Sequence, residues 1–171
     1  MTRIGILSDT HCFLHPKVFE FFRDCDQIWH AGDFGNLETA DKLGTFKPLR
    51  GVYGNIDGQE LRVHFPKDQL FKVEGKKVFM THIGGKPGRY DAEAKKVIER
   101  VKPDILVCGH SHILRVQYDQ KYEMMYINPG AAGKYGFHLK ITLLRFTIDG
   151  TDLKDMEIME LSKQTLPQPI G

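Results

Sequence analysis

Short apolar runs punctuate the chain, and five of them stop at a residue able to hold a proton or a metal. Ile4-Gly5-Ile6-Leu7 runs into Ser8-Asp9-Thr10-His11, and Ile28-Trp29-His30-Ala31 into Gly32-Asp33. Val52-Tyr53 precedes Gly54-Asn55, Val78-Phe79-Met80 precedes Thr81-His82, and Ile105 to Cys108 precedes Gly109-His110-Ser111-His112. Runs of this length bounded by turn residues read as buried strands. Between the first three, apolar residues recur at helical spacing: Val18, Phe21, Phe22 and Cys25 over Pro16 to Cys25, and Leu37, Ala40 and Leu43 over Leu37 to Phe46. Pro16 suits a first helical turn and Asn36 an N-cap. Strands 3–8, Gln27 to Ala31 and Pro48 to Tyr53 alternate with these helices, the signature of parallel βαβ units.

The middle of the chain departs from that rhythm. Asp68 to Glu74 and Lys77 to Thr81 flank Gly75-Lys76 and read as a hairpin, and a loop over Gly84-Gly85-Lys86-Pro87-Gly88 leads into a helix expected from Arg89 to Val101, halted at Pro103. After His112 the helical spacing ends. Leu114 to Asp119, Met124 to Asn128, His138 to Ile148 and Leu153 to Glu160 read as strands, expected antiparallel, with Phe137, Leu139, Ile141 and Leu143 alternating with polar neighbours. The sum is an α/β fold: one domain over residues 1–162 with two sheets and helices outside them. The tail over 163–171, with Pro167 and Pro169, is expected to be flexible.

Composition narrows the function classes. The chain has 171 residues, enough for one sizeable core, and its formal net charge of +2 is too small to require nucleic acid as a partner. No run approaches the length of a membrane span. Cys12, Cys25 and Cys108 are scattered and odd in number, so a reducing compartment is expected, and no apolar segment of a signal peptide opens the chain. These features together predict a cytoplasmic protein.

The chemistry lies at the strand ends, where open α/β sheets bind their ligands. Asp9, His11, Asp33, Asn55, His82, His110 and His112 all fall there. Two histidines two positions apart on an extended chain point to one side, so His110 and His112 can face one site. Seven oxygen and nitrogen donors exceed the needs of one catalytic zinc, which takes three protein ligands. They suit two divalent ions sharing one carboxylate, as in hydrolytic dinuclear centres. The absence of thiolate ligands favours manganese, iron or zinc without choosing among them; manganese is the first expectation, with iron, zinc or nickel as alternatives.

Asp9-x-His11, Gly32-Asp33, Gly54-Asn55, His82 and Gly109-His110-x-His112, in this order, resemble the calcineurin-like metallophosphoesterase superfamily. The short length and Asn128-Pro129-Gly130 resemble its small bacterial and archaeal phosphodiesterase branch, to which the Vps29-type retromer subunit is related. The resemblance implies a four-layer αββα sandwich. It implies Asp9, His11 and His112 on a first metal, Asn55, His82 and His110 on a second, and Asp33 bridging both. It further implies in-line attack on phosphorus by metal-bound hydroxide, with Asp33, Asn55 and His110 counted as catalytic.

One departure stands out. Many such proteins carry a histidine after the asparagine that is assigned as general acid; here the position is Ile56, within Gly54-Asn55-Ile56-Asp57. Substrates with good leaving groups are therefore favoured, and His15 and His30 are the candidates to stand in. His30 otherwise reads as a structural histidine, His64 and His138 as exposed, and Cys12 and Cys108 as small buried groups. Asp57 reads as either a turn residue or a hydrogen-bond partner of the site. The loop with Lys86 and Arg89 reads as a turn, with a phosphate cradle at a helix start as the alternative. The expected activity is hydrolysis of a small phosphodiester, the alternatives being a phosphomonoesterase and a Vps29-like protein-binding scaffold. Exposed edge strands leave a homo-oligomer open.

Overall fold

The computed structural model describes residues 1–163; the tail expected to be flexible lies outside them from residue 164 onward. In chain order the elements are β1 (Thr2–Leu7), α1 (Lys17–Phe21), β2 (Gln27–His30), α2 (Leu37–Phe46), β3 (Leu49–Gly51) and α3 (Gln59–Arg62). There follow β4 (Asp68–Val73), β5 (Lys76–Thr81), β6 (Gly85–Lys86), β7 (Arg89–Tyr90), α4 (Ala92–Val101) and β8 (Ile105–Val107). The last third holds β9 (Leu114–Asp119), β10 (Met124–Pro129), β11 (Lys140–Asp149) and β12 (Asp152–Ser162). Among the described residues no helix is long and apolar enough to cross a membrane.

Two five-stranded mixed sheets carry the fold, ordered β12-β11-β1-β2-β3 and β4-β5-β8-β10-β9. β1, β2 and β3 are mutually parallel, as the βαβ rhythm predicts, and β5, β8 and β10 are parallel in the second sheet. The inner faces meet in one core: Ile4, Ile6, Trp29, Leu144, Phe146 and Ile148 from the first sheet against Val78, Met80, Ile105, Val107 and Ile127 from the second. α1 and α2 cover the outside of the first sheet through Val18, Phe21 and Leu43. α4 covers the second through Ala94 and Ile98, against Phe79, Leu106 and Tyr126. Helix, sheet, sheet and helix stack in four layers, as expected for the fold class. Each fully buried aliphatic or aromatic side chain in these layers contributes about 1.5–3 kcal/mol of transfer free energy.

Some elements differ from expectation for local reasons. α1 is only five residues long and ends in a turn, because Phe22 and Cys25 reach the sheet from that turn and not from a continued helix. The helix expected from Arg89 starts at Ala92. Asp91 caps it by accepting from the amides of Glu93 and Ala94, both at 3.1 Å, and the preceding Gly85–Tyr90 folds into the small hairpin β6–β7. The Asp91 carboxylate thereby occupies two of the amides, those of Glu93 and Ala94, that a phosphate cradle at this helix start would use. The C-terminal strands are not uniformly antiparallel: β10 runs parallel to β8 while β9 pairs with it antiparallel. α2 matches its expected span, with the Asn36 side chain accepting from the Thr39 amide at 3.0 Å. Replacing it in Asn36→Ala should cost about 1 kcal/mol, read as a lowered urea midpoint with unchanged slope; an unchanged midpoint would contradict the capping role.

Candidate metal centre

β1, β2 and β3 in one sheet and β5 and β8 in the other end on the same side, so five strand-end loops converge above the core. The loops then leave extended geometry. Asp9, His11, Asp33, His110 and His112 all adopt left-handed backbone, with φ between 45° and 72°. Such conformations cost of order 1–3 kcal/mol each and persist where surrounding structure enforces them. His110 and His112 therefore do not face the site through strand alternation: β8 ends at Val107, and both imidazoles are aimed by a turn. Asn128 braces that turn by donating from Nδ2 to the Gly109 carbonyl (3.1 Å) and to Ser111 Oγ (3.0 Å).

Glycines allow the loops to close this tightly. A Cβ on Gly32 would lie 2.6 Å from His82 Nδ1, and one on Gly109 would lie 2.7 Å from Asp9 Oδ2. A Cβ on Gly54 would run into Asp33 Oδ1. The glycines of Gly32-Asp33, Gly54-Asn55 and Gly109-His110 thus each back directly onto a site residue of another loop.

Each central side chain has one atom fixed by protein and another left facing the middle. Asp9 Oδ2 accepts from Ser8 Oγ (2.6 Å) and the His110 amide (3.1 Å), while its Oδ1 is buried without a hydrogen-bond partner. Asp33 Oδ1 accepts from the Ile56 amide at 3.1 Å, leaving Oδ2 at 3.2 Å from His82 Nε2 and 3.5 Å from His11 Nε2. His82 Nδ1 lies 2.7 Å from the Ala31 carbonyl, which can only accept, so Nδ1 carries the hydrogen and Nε2 points inward. His112 Nε2 approaches Asp9 Oδ1 at 3.3 Å. His110 Nδ1 sits 3.1 Å from Asn55 Oδ1.

Two donor sets result. One atom each of Asp9, His11 and His112 lies within 4.8 Å of the others, and so do atoms of Asp9, Asp33 and His82. His110 and Asn55 pair with each other at the more open edge. Two carboxylates this close repel by roughly 3 kcal/mol at an effective dielectric of about 20, and need positive charge between them. Burial pushes the Asp9 carboxyl up, but the His112 imidazole facing it, the His82 charge and the Ser8 hydroxyl outweigh it and hold Asp9 below the usual carboxylate range. Burial likewise opposes charging of His82, yet Asp33 and Asp9 raise it overall. His110 is lowered, by burial first and then by the His82 charge. Asp9 Oδ1, His11 Nε2 and His82 Nε2 are buried polar atoms without hydrogen-bond partners, and divalent cations at the two donor sets are the groups that would satisfy them.

The profile of the calcineurin-like phosphoesterase superfamily domain matches residues 2–151. The chain belongs to this superfamily. It is 29% identical over 133 residues to a probable metallophosphoesterase of Methanothermobacter thermautotrophicus strain Delta H, covering 75% of this chain and 76% of the relative. Its fold superposes on wild-type Vps29 of Entamoeba histolytica complexed with Zn²⁺ at a TM-score of 0.70, with 19% identity over 94% of this chain and 98% of that one. A conserved uncharacterized protein of Streptococcus pneumoniae TIGR4, a predicted phosphoesterase, superposes at 0.67 with 18% identity, covering 96% and 94%. Metallophosphoesterase membership and the donor sets agree on a site for divalent metal.

Neighbouring residues take roles that the spacing only partly announces. Asp57, nearly fully buried, accepts from the amides of Phe34 (3.2 Å), Gly35 (2.9 Å) and Gly54 (2.8 Å), tying the Asp33 loop to the Asn55 loop. His15 accepts from the Lys17 amide at 3.0 Å and so serves the start of α1. His138 is half-buried and not exposed as expected: its ring packs edge-on to His112 at 5.0 Å, with Nε2 bonded to the Gly133 carbonyl at 2.7 Å. Tyr135, which the sequence did not single out, lays its ring 5.0 Å from that of His11. Cys108 is buried as expected, but Cys12 is exposed because its left-handed backbone turns it outward.

His30 is a structural histidine. Its Nδ1 accepts from the Gly32 amide (3.1 Å), its Nε2 bonds Thr10 Oγ1 (3.0 Å), and its ring stacks on Phe34 at 3.7 Å. Burial pushes its pKa down to about 3 from the ordinary 6.5. The unfolded chain takes up this proton below pH 6.5 and the folded chain does not until about pH 3, so stability falls as pH drops through that window. Between pH 7 and pH 5 the loss contributed by His30 alone should be about 2 kcal/mol. His30→Gln should flatten this part of the pH dependence of the urea midpoint, and an unaltered profile would contradict the account.

Gly54→Ala should displace Asp33 and lower bound metal per chain, measured by elemental analysis, while circular dichroism keeps its folded form. Full metal content in that variant would contradict the close-approach argument.

Proposed function

We propose that the protein is a phosphodiesterase that works with two divalent cations, manganese first among the candidates, on small phosphodiesters in the cytoplasm. The observation that carries this reading is the placement of the unpartnered buried atoms Asp9 Oδ1, His11 Nε2 and His82 Nε2 in two donor sets that share Asp9. Asp9, His11 and His112 would hold the first ion and Asn55, His82 and His110 the second. Asp33 would bridge, since its Oδ2 lies between an imidazole of each set, 3.5 Å from His11 and 3.2 Å from His82. Asp9 belongs to both close donor sets and could supply a further oxygen to the second ion. When bound, such a pair supplies Lewis-acid polarisation of the phosphoryl group and acidifies water at neutral pH.

The residues of the chain do the rest. The Ile56 amide and the Asp57 carboxylate hold Asp33 and Asn55 in register, and the Ala31 carbonyl fixes the His82 tautomer. Ile56 itself is exposed and apolar beside Asn55, so it offers no proton to a departing alkoxide. Esters whose leaving group departs without protonation are therefore the favoured substrates. The likeness to Vps29 supports a second reading, a scaffold whose surface binds protein, and the complex of that neighbour with Zn²⁺ is compatible with either reading.

Asp33→Asn should abolish turnover and lose at least one metal per chain without unfolding; full activity in this variant would refute the bridging role. With Mn²⁺ added, bis(4-nitrophenyl) phosphate should be hydrolysed at least tenfold faster than 4-nitrophenyl phosphate. The reverse order would favour a phosphomonoesterase. No metal-dependent turnover on either would favour the scaffold.

A further inference from the structure

Two cavities flank the candidate metal centre, one on each side of Ile83 and Asp91, whose atoms line both. The larger, about 460 Å³, reaches His110 and is walled by Lys86, Arg89, Arg115, Tyr90, Tyr126 and Ile113. The smaller, about 360 Å³, reaches Asn55 and His82, with Tyr53, Arg62, Lys67 and Glu93 on its walls. His110 of the larger cavity and Asn55 of the smaller lie 3.1 Å apart at the more open edge of the site. A phosphate held there has room for one ester arm on either side, and each volume lies within the range of small-ligand pockets.

The two sides differ in charge. Three cations line the larger cavity against one carboxylate, that of Asp91, which is already engaged in capping α4. Arg62 and Lys67 in the smaller face three carboxylates, Asp68, Asp91 and Glu93. Within the larger cavity the half-buried Tyr90 supplies a fixed aromatic wall, its hydroxyl donating to Asp119 Oδ2 (2.6 Å), while Tyr126, nearly fully buried behind it, donates to the Gly85 carbonyl (2.6 Å). Arg115 is steadied by Gln117, at 2.6 and 2.9 Å. Lys86 and Arg89 stand opposite each other on the exposed β6–β7 hairpin, at the cavity rim. The site combines one rigid ring, that of Tyr90, with a cationic rim.

We propose that the larger cavity binds one arm of the diester, and that this arm carries a flat ring and a second negative charge of its own, as a nucleoside phosphate does. The proposal rests on the phosphodiesterase reading above and specifies its substrate class. The smaller cavity, richer in carboxylates, then takes an uncharged arm. Lys86 and Arg89 are specificity residues: they meet the second charge and leave the reacting phosphorus to the metal centre.

The test compares thymidine 5′-(4-nitrophenyl phosphate) with the same compound bearing a 3′-phosphate, both releasing nitrophenolate in the presence of Mn²⁺. The added phosphate should lower KM about tenfold, and the advantage should fade as salt is raised. In the double variant Lys86→Ala/Arg89→Ala, confirmed folded by its thermal midpoint, the two KM values should converge. Calorimetric titration of thymidine 3′,5′-bisphosphate gives a readout independent of turnover, and its affinity should fall by a similar factor in the double variant. Equal KM values in the unaltered protein, or a preference that survives the double variant, would overturn the proposal while leaving the phosphodiesterase reading intact. If neither ester is cleaved, the phosphodiesterase reading and the substrate proposal fall together, even where the bisphosphate still binds the cationic rim.

Discussion

Two carboxylates buried within 4.8 Å of each other set the terms for the rest of this structure. Asp9 is wholly buried and Asp33 nearly so, and their repulsion demands positive charge at one point. His11, His82 and His112 ring that region, and the carboxylates of Asp33 and Asp9 favour the charged form of His82 against its burial. Divalent ions would displace the His82 proton, which links metal loading to proton release. The β-sandwich exists around this arrangement as a rigid floor: Ile6, Trp29, Val78, Val107 and their neighbours are fully buried directly beneath the loops.

The loops hold high-cost conformations because several independent contacts determine each of them. Left-handed backbone at five candidate ligands is tolerated where glycines of one loop abut side chains of another and where Asp57 and Asn128 bind neighbouring amides and carbonyls. No single contact fixes the centre. That distribution explains why residues outside the donor set, such as Asp57 and His30, are buried and fully hydrogen-bonded. It also places the freedom to vary in the surrounding walls, where the hairpin β6–β7 and the Tyr135 loop border the site without holding it.

Much of this was legible in the sequence, for a physical reason. A buried strand must be apolar and must end, and in parallel sheets its carboxyl end is where ligands sit, so apolar runs stopping at Asp9, Asp33, Asn55, His82 and His110 reveal both fold and site. The helix α2 was legible because Asn36 marks its start. What stayed hidden depends on contacts between loops far apart in sequence. The left-handed turn at His110 and His112 is imposed by Asn128 and Asp9, so local alternation gave the right residues through the wrong geometry. His138 reaches His112 only because Gly136 lets the chain pass close to that ring. The hairpin before α4 was a missed local signal, since Asp91 ahead of Ala92-Glu93-Ala94 is a capping residue in plain view.

The central claim is that one cluster of seven side chains holds two ions with Asp33 between them. Anomalous diffraction from crystals grown with Mn²⁺ tests it most directly. Two peaks roughly 3.5–4 Å apart are expected, the usual spacing of hydrolytic dinuclear sites. One should lie against Asp9, His11 and His112 and the other against Asn55, His82 and His110, with the Asp33 carboxylate between. A single peak, or metal bound away from Asp33, would contradict the account.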